Sequence, residues 1–353
     1  MRLVCIAGIV LSQSVLAVGN DPLFETHELF ELTLHAPIKT LNRNRDTSIR
    51  YPSSIGYGVD AHTINLDVQV EVRGKYRRQP MICRTPPLRI LFDHDSQVEG
   101  TIFENQKRLK LVTQCDPYNS NYESYLVLEY LAYRILNQIT PRSFNVRLAR
   151  IAYTDTDSGK SRTSLGFFIE HKKRLANRLG ARHLEIDQTS AVVLESSHLN
   201  QTSLFQLLIG NVDWSATSTK TDECCHNYKL FQQADSLLSI PYDFDLSGLV
   251  NARYAKPDTE LGLKTIRDRR YRGYCRNNGF LDDNIELFNH EKAAILDLFE
   301  RSPYLPERKK KSAISYLEGF YRIINNPKRV TRVITAKCHK SIMVEVPLGS
   351  RED

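Results

Sequence analysis

The amino-acid sequence predicts an α+β protein in two parts: an antiparallel, β-rich first part with one main helix, then a mostly helical second part. Apolar side chains alternate cleanly with polar ones over residues 64–72, and strand-like runs continue as far as residue 170. A single segment with the apolar spacing of a helix, residues 122–139, interrupts these strands. After residue 200, apolar residues recur mainly at the three- and four-residue spacing of helices.

Residues 1–17 have the three-part pattern of a secretory signal peptide. Met1 and Arg2 form a short positive region, an apolar run follows, and Val15 to Ala17 resembles a cleavage site. The apolar run is shorter than the roughly 20 residues that cross a bilayer. We therefore expect an exported protein, periplasmic or extracellular, that has no stable membrane span.

The cysteine pattern favours structural disulfides over a metal-binding or redox-active site. The chain has seven, and Cys5 lies in the predicted signal peptide, so an even number enters a compartment that permits disulfides. No C-x-x-C pair occurs, which argues against a zinc ribbon or a thioredoxin-like site. The sequence does not choose among the pairings of Cys83, Cys115, Cys224, Cys225, Cys275 and Cys338.

The charge distribution does not favour nucleic-acid binding. The formal charge is +7 over 353 residues, and the basic clusters at 172–174, 267–276 and 308–311 are separate from one another. This pattern indicates a solvated, mixed-charge surface, so no nucleic-acid partner is expected. The chain is 41% hydrophobic and 25% charged, which is ordinary for a globular protein.

The elements divide the mature chain into three regions. Residues 18–63 show little periodicity and are predicted to be an N-terminal extension. The β-rich region is 64–172, and the helical region that carries the polar loops is 173–353. The predicted strands are 64–72, 88–92, 109–113, 146–153 and 165–170, and the predicted helices are 122–139, 203–210, 285–299 and 313–324.

Three segments of the second part carry Asp or Asn after an apolar stretch. They contain Asp213, Asn227, and the pair Asp243 and Asp245. Phosphoryl transfer needs an Asp to orient the attacking hydroxyl and an Asn with a second Asp to hold magnesium. The alternative is that these residues close turns, a common role of Asn and Asp. Their order along the chain favours the first interpretation.

Two charged residues of the first part complete this pattern. Lys110 lies in a predicted strand between Leu109 and Leu111 and therefore points to the opposite face. Glu129 lies in the middle of the predicted helix. A strand lysine paired with a helix glutamate positions nucleotide phosphates in kinases. The alternative is that both side chains are solvated surface charges.

These motifs, in this order, resemble the spore-coat CotH-type kinase family and, more distantly, HipA-type kinases. The chain is also similar to exported bacterial proteins that share the same motifs. The resemblance covers about 64 to 249 and implies a two-lobed protein-kinase-like fold. It rests on the segments 73–78, 88–92, 107–112, 129–133, 167–170, 211–213, 227–228 and 241–245.

The resemblance implies a role for each candidate residue in the second part. Asp213 would be the catalytic base, and Asn227 and Asp243 would bind magnesium or manganese, with Asp245 as a further candidate ligand. The related patterns often place a His or Arg close to the catalytic Asp, whereas here Trp214 and a serine follow it. The interval between Asp213 and Asn227 is also long. A disulfide from Cys224 or Cys225 to Cys275 would restrain it.

The first part would supply the nucleotide contacts. Lys110 would hold the phosphates, and Glu129 would position Lys110. Arg73 and Gly74 would form a turn near the nucleotide, and Glu170 would lie beside the adenine. The implied activity is that of a secreted atypical kinase-like phosphotransferase that uses Mg-ATP on a protein or small-molecule hydroxyl. The alternatives are a catalytically inactive kinase-like binding or envelope protein, and adenylylation at the same site.

Overall fold

The computed structural model describes residues 21–60, 62–92, 98–218 and 224–340. The predicted signal peptide, residues 1–17, lies outside the described residues. Within them, the first half of the chain closes into a barrel in the order β1-β2-β3-β4-β5-β7-β6. Its strands are β1 (Phe30–Ala36), β2 (Tyr51–Val59), β3 (His62–Val72), β4 (Leu88–Leu91), β5 (Arg108–Thr113), β6 (Val146–Asp155) and β7 (Ser161–Ile169).

This barrel shows that the predicted fold class is wrong. A two-lobed protein-kinase-like fold with an antiparallel first lobe requires an open sheet, but β1 pairs in parallel with β6 and closes the sheet into a mixed barrel. Phe30 lies opposite Ala149, more than a hundred residues away in the chain. Strand periodicity reports which face of a strand is buried and carries no information about a partner so distant in sequence.

Residues of the predicted N-terminal extension form part of this barrel. Strands β1 and β2 both lie within 18–63, and β2 pairs antiparallel with β3 from Tyr51 opposite Val70 to Val59 opposite His62. The sequence did not assign a strand there. Since β1 is flanked by β2 and β6, this region supplies the two strands that complete the barrel.

The alternation within each strand separates an inner from an outer face. On β5, Leu109 and Leu111 pack inside the barrel with Val70 and Ile90, whereas Val112 packs outside it. Lys110 alternates with the two leucines, as the sequence predicted, and belongs to the outer face. The outer face of β5, β6 and β7 packs against the main helix and the second half of the chain.

The main helix and several shorter ones build the remaining core. Helix α2 begins after Asn119, whose side chain accepts a hydrogen bond from the N–H of Asn121 at 3.0 Å, and it ends before Pro141. The helices are α1 (Ile38–Arg43), α2 (Ser120–Ile139), α3 (Lys172–Arg178), α4 (Ser196–Ile209), α5 (Leu281–His290), α6 (Lys292–Glu300), α7 (Glu307–Ile324) and α8 (Pro327–Val330). The predicted helix 285–299 is therefore two helices, α5 and α6.

The second half also contains a small sheet that the sequence did not predict. Strands β8 (Arg182–Leu184), β9 (Tyr228–Gln233) and β10 (Ser236–Pro241) pair antiparallel in the order β10-β9-β8. The hairpin of β9 and β10 places Tyr228 opposite Pro241 at its open end. The segments that carry Asn227 and Asp243 therefore leave the sheet side by side.

Three disulfides link the six cysteines outside the predicted signal peptide. Cys83 pairs with Cys115, Cys224 with its neighbour Cys225, and Cys275 with Cys338. The expectation that the cysteines serve as disulfides is confirmed, and the suggested bond to Cys275 from residue 224 or 225 is wrong. No helix among the described residues has the length and apolarity needed to cross a membrane.

Candidate functional site

The open end of the β9–β10 hairpin brings two predicted site residues together. The N–H of Tyr242 donates to the carbonyl of Asn227 at 3.0 Å, which continues the ladder by one step. Asn227 and Asp243 both have left-handed backbone conformations, with φ of 54° and 67°. Each chain segment therefore turns sharply where it leaves the sheet, and both polar side chains lie at this end of the hairpin.

Asp213 reaches the same place from the end of α4. Gly210 ends the helix with φ of 63°, and the side chain of Asn211 accepts the N–H of Asp213 at 3.0 Å. The amide Nδ2 of Asn227 donates to the main-chain oxygen of Asp213 at 2.7 Å and to its carboxylate Oδ2 at 3.0 Å. The structure therefore brings Asp213 and Asn227 into direct contact.

His226 holds the other carboxylate oxygen of Asp213. Its Nε2 lies 2.9 Å from Asp213 Oδ1, and its carbonyl accepts the N–H of Ser215 at 2.9 Å. The sequence reasoning missed this residue, although it noted that a His or Arg was absent after Asp213. His226 belongs to the segment that carries Asn227, and only its position next to Asn227 could have indicated a role.

Asp243 is anchored by aromatic packing under its backbone. Its N–H donates to the phenolic oxygen of Tyr133 on α2 at 2.8 Å. The next residue, Phe244, is fully buried, and its ring centroid lies 4.5 Å from that of Tyr133. The Asp243 side chain is only half-buried. A buried aromatic pair thus fixes the main chain, and the carboxylate remains accessible.

Asp245 has a different environment. It is buried, it forms a hydrogen bond with the phenol of Tyr254, and burial together with the charge of Asp243 raises its pKa to about 7. Metal ligands bind in their deprotonated form. Of the two predicted carboxylate ligands, Asp243 therefore suits a metal ion better.

Asn227 and Asp243 together suit a metal ion that takes its other ligands from water and a substrate. Among residues 21–60, 62–92, 98–218 and 224–340, no group of three or more His, Cys, Asp or Glu side chains could hold a metal ion. Mg²⁺ keeps several waters and typically uses one or two carboxylates plus substrate phosphates. Within the described residues, Asn227 Oδ1 accepts no hydrogen bond, so this oxygen and the Asp243 carboxylate fit that limited role.

Lys110 lies in a cationic environment above Tyr242. Its Nζ is 5.0 Å from the Tyr242 ring centroid, and Nζ of Lys229 is 5.7 Å from the same centroid. Burial and the charges of Arg73 and Lys229 lower the pKa of Lys110 to about 7, against the opposing effect of Asp243. The structure therefore places Lys110 near Asp243, and Lys229 is a neighbour that the sequence reasoning missed.

Glu129 forms its ion pair with Arg77 and not with Lys110. Arg77 Nη1 lies 3.2 Å from Glu129 Oε2, and Arg77 Nη2 donates to the carbonyl of Thr113 at 2.6 Å. Burial raises the pKa of the Glu129 carboxyl, and the Arg77 charge opposes this effect. Glu129 therefore anchors the loop that follows β3.

The loop that follows β3 carries the predicted Arg73–Gly74 turn. Gly74 is exposed with φ of 87°, a conformation that favours glycine. Arg73 is half-buried, and burial lowers its pKa while nearby Asp243 raises it. The disulfide between Cys83 and Cys115 joins the end of this loop to the residues after β5.

The Glu170 carboxylate is engaged by the protein itself. Arg178 donates to Oε1 at 3.0 Å and to Oε2 at 2.8 Å, and the N–H of Asn145 donates to Oε2 at 2.9 Å. The residue is 2% exposed. Its side chain links the end of β7 to α3, so an adenine contact would have to come from its main chain.

Comparison with known proteins identifies neither a family nor an activity for the chain. No protein-family model matches the chain, and no curated protein sequence matches it. The resemblance to CotH-type kinases therefore stays a prediction based on the order of the motifs.

Proposed function

We propose that the protein transfers a phosphoryl group from ATP to a hydroxyl of a protein or small molecule, with Mg²⁺ or Mn²⁺. The observation that carries the proposal is the contact between Asn227 and Asp213. One amide nitrogen binds both the main-chain oxygen and the carboxylate of Asp213. This arrangement orients a partly exposed carboxylate and turns the amide oxygen of Asn227 away from it.

Each residue then has a defined task. The bound metal would neutralise charge on the donor phosphates, and Asn227 and Asp243 would hold it. Asp213 accepts the proton of the acceptor hydroxyl, whose oxygen forms a bond to the terminal phosphorus. The bond from that phosphorus to the bridging oxygen breaks, and ADP leaves with the electron pair. His226 keeps the Asp213 carboxylate in position throughout.

We also propose that the protein is exported and that it is related to CotH-type kinases. Disulfides persist in oxidising compartments, and the three found here support a protein that functions outside the cytoplasm. The CotH-type resemblance supports the proposed residue roles through the motifs alone.

The test measures nucleotide binding and phosphate transfer in the oxidised mature chain. We expect Mg-ATP or Mn-ATP to raise the melting temperature, and labelled ATP to be consumed. Asp243→Asn should abolish the metal-dependent shift. Asp213→Asn should keep the shift and lose transfer, because it removes the base and keeps the bulk. Asp235→Asn, at the exposed tip of the hairpin, is the matched control.

Two results would contradict the proposal. The first is the absence of any metal-dependent response to a nucleotide. The second is transfer that persists at the wild-type rate in Asp213→Asn. The first result would favour a binding or envelope protein without turnover.

A further inference from the structure

Four half-buried tyrosines form a continuous row, the tyrosine row, that begins beside the candidate site. Neighbouring ring centroids along it are 6.3, 6.2 and 5.3 Å apart, in the order Tyr76, Tyr254, Tyr122 and Tyr125. At the far end, Nζ of Lys309 lies 5.2 Å from the ring centroid of Tyr125. The row therefore extends from the candidate site to the start of α7.

Two hydrogen bonds join the first two rings to the carboxylates of the site. The phenol of Tyr254 forms a hydrogen bond with Asp245, and Tyr76 Oη donates to the main-chain oxygen of Tyr254 at 2.7 Å. Burial and the charges of Asp245 and Asp213 raise the pKa of the Tyr76 phenol. A molecule that lies along the row would therefore have one end near Asp213.

The rings of the tyrosine row are held by the protein and remain partly accessible. Tyr125 and Tyr254 pack on one side against the main core. Tyr122 and Tyr125 lie about one turn apart on α2, Tyr76 lies in the loop after β3, and Tyr254 lies between β10 and α5. Rigid aromatic rings supply a large contact area at a low cost in conformational entropy, so such a cluster is typical of a binding surface.

The chemistry of a carbohydrate chain suits this surface. A pyranose whose hydroxyls are all equatorial presents C–H bonds on both ring faces, and the negative face of an aromatic ring attracts these groups. The same sugar carries hydroxyls around its edge, and a hydroxyl is the acceptor in the proposed reaction.

A peptide suits the tyrosine row less well. Extended peptides are bound largely through main-chain hydrogen bonds to the edge of a sheet, whereas the row comes from two loops and a helix. Proline rings can also dock in aromatic grooves, but they carry no hydroxyl that could accept a phosphoryl group. The surface therefore favours sugars over either kind of peptide.

We propose that the tyrosine row binds a chain of pyranoses with equatorial hydroxyls, and that a hydroxyl of this chain is the phosphoryl acceptor. Successive sugar rings stack on successive tyrosines, and the sugar at the Tyr76 end offers its hydroxyl to Asp213. The role as acceptor rests on the proposed function, whereas carbohydrate binding by the row does not.

The test measures binding of cellohexaose and chitohexaose to the oxidised mature chain by calorimetry. Tyr122→Leu, which keeps an apolar side chain and removes the aromatic face, should weaken binding roughly threefold or more. Tyr122→Phe should bind like wild type, because it keeps the ring. Tyr118→Ala is the matched control, because this nearby tyrosine is 77% exposed and lies outside the row.

Three outcomes would overturn carbohydrate binding by the row. The first is that neither oligosaccharide binds. The second is equal affinity in wild type and Tyr122→Leu, since the sugar would then lie elsewhere. The third is that adenosine displaces cellohexaose, which would assign the row to a nucleobase. A Ser-Pro repeat peptide that binds through Tyr122 while both sugars fail to bind would make the partner a protein.

The tyrosine row and the proposed reaction can fail separately. Oligosaccharide binding that depends on Tyr122, without any transfer of phosphate from Mg-ATP, would support the row and contradict the reaction. Phosphate transfer to a protein hydroxyl by a chain that binds neither oligosaccharide would support the reaction and contradict the row.

Discussion

Arg77 and Glu129 form a buried ion pair, with 3.2 Å between Nη1 and Oε2, that joins the loop after β3 to the main helix. The two side chains are 10% and 2% exposed. Arg77 also donates to the carbonyl of Thr113 at the end of β5. Since the same loop carries Arg73, this pair links the stability of the barrel to the geometry of the candidate site.

Breaking this pair should destabilise the protein strongly. Glu129→Ala leaves Arg77 buried without a counter-charge, so we expect a loss of about 3–5 kcal/mol in the free energy of unfolding. The double variant Arg77→Met/Glu129→Leu should recover much of that loss. Urea denaturation measures both, with Glu31→Ala as the control because its pair with Arg150 is exposed. Equal losses for Glu129→Ala and Glu31→Ala would disprove the prediction.

Gly210 should not tolerate a side chain. A Cβ there would lie 1.8 Å from the phenolic oxygen of Tyr316, and φ is 63°. Gly210→Ala should therefore cost about 1–2 kcal/mol from the backbone and roughly 1–3 kcal/mol more from the clash. Gly159→Ala is the matched control, because φ is 68° and nothing lies within 4 Å of its Cβ. Similar melting temperatures for the two variants would rule out the clash with Tyr316.

The two long-range disulfides should have different effects on the site. Removing the bond between Cys83 and Cys115, which are 32 residues apart, should cost about 3–4 kcal/mol and weaken the thermal response to Mg-ATP. The loop with Arg73 and Arg77 would then be less restrained. Removing the Cys275–Cys338 bond, which spans 63 residues, should cost a similar amount and keep the response. Double serine variants and melting curves test this, and identical ligand responses would contradict it.

Lys110 should make stability depend on pH. Its ordinary pKa of 10.5 is lowered to about 7 in the folded protein by burial, Arg73 and Lys229. Between these values the unfolded chain binds more protons, so the free energy of unfolding rises with pH through this window. Without ligand, Lys110→Met should therefore be more stable than wild type at pH 6, and its advantage should shrink towards pH 10.

Urea denaturation at several pH values measures this effect. Lys160→Met, at an exposed turn position, should show no such trend. A stability difference between Lys110→Met and wild type that stays constant from pH 6 to pH 10 would refute the prediction.

Local periodicity predicted much of the secondary structure correctly. Residues 64–72 form most of β3, and 122–139 form most of α2, because regular alternation and helical spacing record which side of an element is buried. The same reasoning assigned no strand to β1 and β2 or to the three strands of the small sheet. It also merged α5 and α6, whose apolar spacing continues past the break at Glu291.

The sequence by itself determined the strands of 64–170, the main helix and the disulfide-forming role of the cysteines, and it predicted which Asp and Asn residues form the candidate site. Only the tertiary structure decided that β1 closes the barrel beside β6, that Glu129 pairs with Arg77, and that His226 and Lys229 join the candidate site. Burial patterns are local and can be read along the chain. Contacts between residues far apart in sequence depend on how the elements pack, and single-sequence periodicity does not record a partner.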